Sequence, residues 1–585
     1  MNKYALKTIF TMLAVLSFSL STQAQTDSPT QVETMTIFGT FTPTIKLTPK
    51  IEHTPEPENY VVKPPVMDFE MQTEAIHSAE TAELLDSDPL PKGKVIKYPH
   101  NYLILGFGNY TTPYGEFYAN TSQMQNHAFG IRLKHVSSQG GIEGYADNSF
   151  SQNLGDIYYK FSGRAMTVKA DVFLKRDVVH YYGFNPNEFF NPPSDSIKQR
   201  YFLGGATVSF SSNDINPTDF GYSARLKYYN LSDRFENREN AATFNADFRK
   251  GFFLFNTRNP QKAGAALNLA YFNNNIFVPT NRAIFIPEPN RQTGAVVQND
   301  IQVGVRPYFE CDWSEYRLRV GVNIGIFRNG NEDPEPYLHP IVEANVKVIQ
   351  NRLYLFARLG GGIERNSFLS LTDGNPFIAP GSYDVNFSNK RVTAAGGFSA
   401  MITKGLDLKI GGEYASIENM PFYMSLPDAP TRNFTTIFDD ATQVDLFLES
   451  AYTLSNKIHI GASVHYYITQ PDTLKHAYYC PDFKMILSGK YRLLERLLLG
   501  ADFYFYSEMW AANPYQMWTP HDIPRVKDEK LPACFDLNLN AEYRVWNELY
   551  LFLQANNIFV QKNYQRYLNY PTQGLNVLGG IRFRF

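Results

Sequence analysis

FDLNLNAEYRV, residues 535–545, alternates without a break. Phe535, Leu537, Leu539, Ala541, Tyr543 and Val545 fall on one side, and Asp536, Asn538, Asn540, Glu542 and Arg544 on the other. A period of two is the spacing of a β-strand with one apolar and one polar face. Five polar residues in a row on one face need water, and the apolar face needs an environment that is not water. A barrel closed within a membrane supplies both, with a wet lumen inside and lipid outside. The apolar sides of this and similar stretches carry almost no charge, as expected where Arg or Lys facing lipid costs about 2–4 kcal/mol at mid-bilayer. Hydrocarbon offers no partner to an unpaired backbone group, so such a sheet must close on itself.

The same alternation spreads outward from this strand. A second arm, Leu549 to Val560, follows across the turn WNE. VEANVKV (342–348) and LYLFARL (353–359) flank IQNR, and VDLFLESAYTL (444–454) and IHIGASVHYYI (458–468) flank LSNK. TKG and LLER join further pairs. These short turns alternate with long loops rich in Pro, Asn, Asp and Tyr: Phe184–Ile197, Pro279–Thr293, Asn366–Tyr383, Asn419–Asp440 and Met509–Lys530. Short connections on one side and long ones on the other are expected of an outer-membrane barrel, the short ones being periplasmic. The chain ends on GLNVLGGIRFRF, again alternating, with Phe585 as its last residue. A tally of strand-like runs from Tyr102 onward, together with the even number usual for such barrels, gives about 22 strands, within a range of roughly 18–24.

The predicted fold is therefore all-β, a transmembrane antiparallel up-and-down barrel spanning residues 101–585. A soluble β-propeller or stacked sandwich would need a blade signature recurring at a fixed period, and no such period is found. Composition agrees. Among 585 residues there are 45 Phe and 38 Tyr but only 4 Trp, the formal net charge is −3, and the mean hydropathy is −0.32. So weak a net charge points away from nucleic acid as a partner. A mildly polar average excludes a helical membrane bundle but not a barrel, where only every second strand residue meets lipid.

Residues 1–24 read as a secretory signal peptide: Lys3 and Lys7, an apolar run from Ile9 to Leu20, and a small-residue site ending at Ala24. Residues 25–100 contrast with the rest, carrying 10 prolines among Thr, Glu and Lys. Such a segment favours extended chain that buries no core, and it reads as a periplasmic extension. The three cysteines, Cys311, Cys480 and Cys534, are too few for a disulfide framework. Free thiols are expected, and a bridge between Cys480 and Cys534 stays open.

LILGFGNYTTPYGEFYAN (103–120) and FLKRDVVHYYGFN (173–185) are similar to an exported family described as TonB-dependent-receptor-like. The resemblance implies an outer-membrane barrel of a Gram-negative bacterium that takes part in solute uptake or passage. The alternative is a non-transporting envelope scaffold or assembly subunit anchored by the barrel. ETMTIFG (33–39) is close to a TonB box. In that family such a box adds as a strand to an energy-coupling protein, which would make Glu33, Thr34, Met35, Thr36 and Ile37 contacts for TonB or another periplasmic partner. The family's folded plug of well over a hundred residues has no counterpart, since only about 60 Pro-rich residues separate Gly39 from Tyr102. Either the lumen is open, or the long loops and the extension occlude it. A final aromatic on a β-strand resembles the C-terminal signal by which such proteins reach their insertion machinery, the role implied for Phe585.

No HExxH, GxSxG, CxxC or Walker loop occurs. No catalytic, cofactor-binding or metal site is expected, and the protein is not read as an enzyme. His459 and His465 share the polar face of one strand and read as lumen lining. The acidic loop Glu332–Pro336 reads as a solvated surface loop. YYGFNPNEFFNPP (181–193) and MWAANPYQMW (509–518) either bind planar ligands from outside or pack on one another to cap the barrel.

Overall fold

The structure is a computed structural model. It describes residues 101–585 apart from 122–125, 188–191, 214–215, 217, 255–258, 279–293, 351, 427–430, 456, 515–525 and 562–564. The signal peptide, the Pro-rich extension and the TonB-box-like residues Glu33–Ile37 lie outside the described residues.

Twenty-two antiparallel strands form one sheet. It closes where the first strand, Tyr102–Gly108, pairs with the last, Asn576–Arg584, from Tyr102 opposite Arg584 to Gly108 opposite Leu578. Closure leaves no edge, as a lipid environment requires. Both ends of the described chain meet at the short-turn end, where Asn101 and Phe585 exchange backbone hydrogen bonds of 3.3 and 3.1 Å. The turns IQNR, TKG, LSNK, LLER and WNE all lie at that end, each between adjacent paired strands. The described parts of the long loops lie at the other. The expected strand number is the one observed, and the five short turns share one end as expected.

The alternation read at 535–545 becomes an inside and an outside. Phe535, Leu539 and Tyr543 are exposed on the outer wall, while Asp536 and Glu542 are buried on the inner one. On the last strand Ile581, Phe583 and Phe585 face out, and Arg582 and Arg584 face in. Several charges inside the lumen are paired. Arg319 reaches Glu310 at 2.7 Å and Glu343 at 3.4 Å, Lys409 reaches Glu449 at 2.8 Å, and Arg582 bonds Glu542. His459 and His465 line the lumen as expected, His465 lying 3.1 Å from Asp445 and His459 3.2 Å from Thr453. Cys311, Cys480 and Cys534 are thiols, with no disulfide.

The wall is lopsided. Strands at the seam have 7 and 9 residues, whereas Leu406–Ser425 and Phe434–Leu454 have 20 and 21. A membrane-crossing strand needs about 9–11 residues, so the taller pair continues roughly ten residues past the bilayer. This corrects one expectation. Asn419–Asp440 is not a long loop; it is the continued ladder of these two strands, joined by residues 426–433. The Pro, Asn and Asp that suggested a loop stand beyond the lipid, where composition no longer has to be apolar. Residues 509–530 likewise contain a hairpin of their own, Met509–Pro514 with Val526–Leu531.

At the seam Gly106 and Gly580 oppose one another, and the ring of Phe552 lies against both from the lumen side. A Cβ on Gly580 would collide with the Leu105 carbonyl as well as this ring. Gly580→Val is therefore expected to cost about 1–3 kcal/mol by overpacking, enough to lower the temperature at which the folded barrel loses its compact migration on an unheated gel. An unchanged transition would show that the seam tolerates a side chain there.

Candidate functional site

At the long-loop end, residues 367–385 reach inward and pack against residues from several strands and loops. The chain leaves the strand Leu353–Asn366 and forms a short helix, Phe368–Gly374. Ser367 caps it by accepting from the Ser370 amide, and the Ser370 hydroxyl accepts in turn from the Ser367 amide. Across the mouth, Glu239 receives the helix start: its carboxylate accepts from the amides of Phe368 at 2.8 Å and Leu369 at 3.3 Å, and from the Tyr229 hydroxyl at 2.9 Å. A carboxylate among first-turn amides meets both the unsatisfied donors and the helix dipole. Phe368 and Leu371 then pack with Tyr201, Leu231, Ile276 and Tyr383, and the rings of Phe368 and Tyr383 stack at 4.6 Å.

Tyrosines from other elements fix the rest of the loop through its carbonyls. Tyr201 donates to Pro376 O at 3.0 Å, Tyr181 to Ile378 O at 2.9 Å and Tyr423 to Leu371 O at 3.0 Å, and Tyr567 donates to Gly374 O. Ile378 and Phe434 form a parallel bridge, with Ala379 N bonding Phe434 O at 2.8 Å. An aromatic cluster completes the closure. Phe377 stacks on Tyr570 at 4.0 Å, and Tyr182, Phe434, Tyr479 and Tyr567 surround the pair. Of the two readings of YYGFNPNEFFNPP, the described part follows the capping one, since Tyr181 and Phe184 are buried.

Beneath the loop lies a buried ion pair. Arg365 bonds Asp300, with 6% and 0% of their side chains exposed. Asp300 also accepts from Asn274 Nδ2 at 3.1 Å, Gln298 Nε2 at 2.9 Å and Gly330 N at 2.7 Å. The guanidinium lies over the rings of Phe387 at 4.8 Å and Phe272 at 5.4 Å. Gln298 additionally bonds Val385 O at 3.1 Å, tying the pair to the end of the closing loop.

In the turn between the strands Phe220–Ser232 and Arg238–Phe252, Asp233 accepts from Gln199, Phe235 and Asn237 side-chain and backbone donors at 2.8–3.0 Å. Burial pushes its carboxyl up to about 6 against the pull of those donors. Packing of this turn therefore favours the protonated acid. The contribution is full below the ordinary value of 3.8 and is lost as pH rises through about 6. Amide protection at Phe235 and Asn237, corrected for intrinsic exchange, is expected to fall across that window in the native chain and to stay level in Asp233→Asn.

A separate concavity of about 730 Å³ opens beside Tyr466, Cys480 and Trp510. Most of its charges already have partners. Lys475 bonds Asp528, Lys530 lies 2.6 Å from Glu508, and His476 stacks on Trp510 at 4.1 Å.

Of the residues singled out from sequence, Phe585 is found at the end of the closing strand, its ring on Phe583 at 5.8 Å. Tyr181, Tyr182 and Phe184 lie in a stretch already read as a possible cap, whereas the packed residues of the loop 367–385 escaped notice, although one signal was present: Phe368, Leu369, Leu371, Phe377 and Ile378 are too apolar for a loop in open water. Glu239, Asp300 and Arg365 carried no local signal, because they come from strands far apart in the chain.

No protein-family model matches the chain, and no curated protein matches it by sequence. Solved structures do match in fold. FpvA of Pseudomonas aeruginosa, solved with a heterologous iron-loaded pyoverdine, superposes with a TM-score of 0.61 at 11% identity, over 83% of this chain and 71% of that one. The FrpB iron transporter of Neisseria meningitidis gives 0.60 at 11% identity, over 83% and 81%. The siderophore receptor PirA of Acinetobacter baumannii gives 0.59 at 9% identity, over 83% and 80%. The 22-strand barrel of this protein is thus the barrel fold of TonB-dependent outer-membrane receptors of Gram-negative bacteria.

Proposed function

We propose that the protein takes part in the uptake or passage of a solute across the outer membrane, with the loop 367–385 as the barrier on the external side. The observation that carries this reading is a wide lumen lined with paired charges and shut at one end by polar and aromatic contacts rather than by covalent structure. A packed loop can rearrange for a solute that binds it better when displaced.

In this reading residues 1–24 direct export, 25–100 form a periplasmic extension, and 101–585 are the transport barrel. Glu33–Ile37 would add as a strand to TonB or another periplasmic protein, and Phe585 would be read by the insertion machinery. Polar lumen and mouth residues call for binding and release, not for bond-making chemistry.

The test is ion flow through the full chain in planar bilayers, before and after removal of the closing loop. Flow that appears only on removal supports a gated passage. A barrel that stays sealed without the loop would favour an anchored scaffold instead.

A further inference from the structure

The outer wall carries a one-sided set of arginines at the height where lipid gives way to headgroups. On the strand Met166–His180 the outward positions include Leu174 and Arg176; on Lys198–Ser212, Arg200 and Phe202; on Arg238–Phe252, Arg238. Their inward neighbours Lys175, Tyr201 and Glu239 contact the closing loop or its surroundings, which sets these arginines on the opposite, external face. Arg200 and Arg238 are exposed and Arg176 is half-buried. In the ladder Arg176 opposes Phe202, so Arg200 is its diagonal neighbour, roughly 7–8 Å away between Cα atoms. Arg238 stands two strands further on, about 10 Å.

The height is marked independently. Leu174, Phe202, Tyr228 and Tyr271 are exposed apolar and aromatic residues of the belt. At its upper edge Asn230, Asn240, Asn273 and Asn299 form a hydrogen-bonded ladder along the outer wall, joined by the Tyr228 and Tyr271 hydroxyls at 3.1 and 2.9 Å. Amides with tyrosine hydroxyls are a headgroup-level arrangement, and an arginine there escapes most of the cost of facing hydrocarbon.

What sets this arc apart is the missing counter-charge. Within the strands, no outward position at the long-loop end, from His127–Ser138 to Tyr316–Arg328, is Asp or Glu; the exposed Glu236 in the turn before Arg238 pairs with none of the three arginines. No ion pair is formed by the side chains of Arg176, Arg200 or Arg238 among the described residues, whereas rim cations later in the chain are paired: Lys390 with Glu364, Arg391 with Glu418, Lys475 with Asp528, Lys530 with Glu508.

We infer that Arg176, Arg200 and Arg238 form a binding surface for the phosphate groups of a phosphorylated glycolipid in the outer leaflet. Each guanidinium offers a planar fork of N–H donors that fits a phosphate bidentately, while the belt below takes the acyl chains. The inference needs only the outer-membrane placement, not a particular role for the lumen.

The test uses the full chain refolded into phosphatidylcholine vesicles doped with lipid A. The native protein is expected to retain lipid A through purification and to bind dephosphorylated lipid A far more weakly. R176Q/R200Q/R238Q should bind lipid A roughly a hundredfold more weakly, by analogy with basic residues at an anionic surface. R176K/R200K/R238K should keep most of the binding, and serves if the Gln variant fails to show the heat-modifiable migration of a folded barrel. Equal retention by the native and Gln proteins, or equal binding of the dephosphorylated lipid, would overturn the assignment. Displacement of lipid A by millimolar inorganic phosphate would also overturn it, in favour of a free-anion site.

Discussion

Replacing Phe368–Asp384 by a short Gly-Ser linker is expected to turn a sealed barrel into a conducting one, with single-channel conductance rising by about an order of magnitude or more. Barrels of 16–18 strands already leave an aqueous channel. At roughly 4.8 Å between strands and the usual tilt, 22 strands enclose a lumen about 40 Å across between backbones. The described side chains that cross this span at the external end are those of the closing loop and its aromatic partners. Removing the loop takes Phe377 from the ring cluster and leaves Tyr201, Tyr423 and Tyr567 without their carbonyl acceptors. The strands on either side, Leu353–Asn366 and Asn386–Thr403, keep a thirteen-pair ladder of their own, so the barrel itself should survive. Planar-bilayer recording checks this. A folded variant that conducts no better than the native chain would defeat the gating proposal.

The second large effect concerns the ion pair under the loop. Arg365→Leu should destabilise the barrel by about 3–5 kcal/mol, because it leaves the Asp300 carboxylate buried without its counter-charge. The three remaining donors to Asp300 soften this loss but supply no positive charge. Changing both partners, as in Asp300→Asn with Arg365→Leu, should recover most of it, since a buried pair replaced as a unit is often nearly neutral. Urea unfolding in detergent micelles, followed by the loss of β-sheet circular dichroism, reads both variants. A double variant as unstable as the single one would mean that Arg365 acts by filling space against Phe272 and Phe387 rather than by its charge.

Legibility followed the solvent. Where a strand lies between lipid and lumen water, each residue states its side by its polarity. The alternation at 535–545 and at the chain's end could therefore be turned directly into an outer and an inner wall. The short turns were legible for a related reason, because two strands of alternating pattern bracket each one. Past the lipid this code stops. Asn419–Asp440 looked like a loop because it no longer had to be apolar, although the ladder between Met420–Ser425 and Phe434–Asp439 continues there.

By itself the sequence determined the class of the fold, the number of its strands to within a narrow range and the alternation of short and long connections. All of these depend on contacts with solvent or with the next strand along the chain. Only the tertiary structure decided that a loop packs across the mouth, and which groups hold it there. Glu239 meets the amide of Phe368 across 129 residues, Arg365 meets Asp300 across 65, and Tyr567 meets Gly374 across 193. Such partners share no local period, and single residues of common type carry no mark of whom they will face. The physical reason is closure: bending the sheet into a cylinder brings distant strand ends around one opening, and until it closes those side chains have no common space in which to meet.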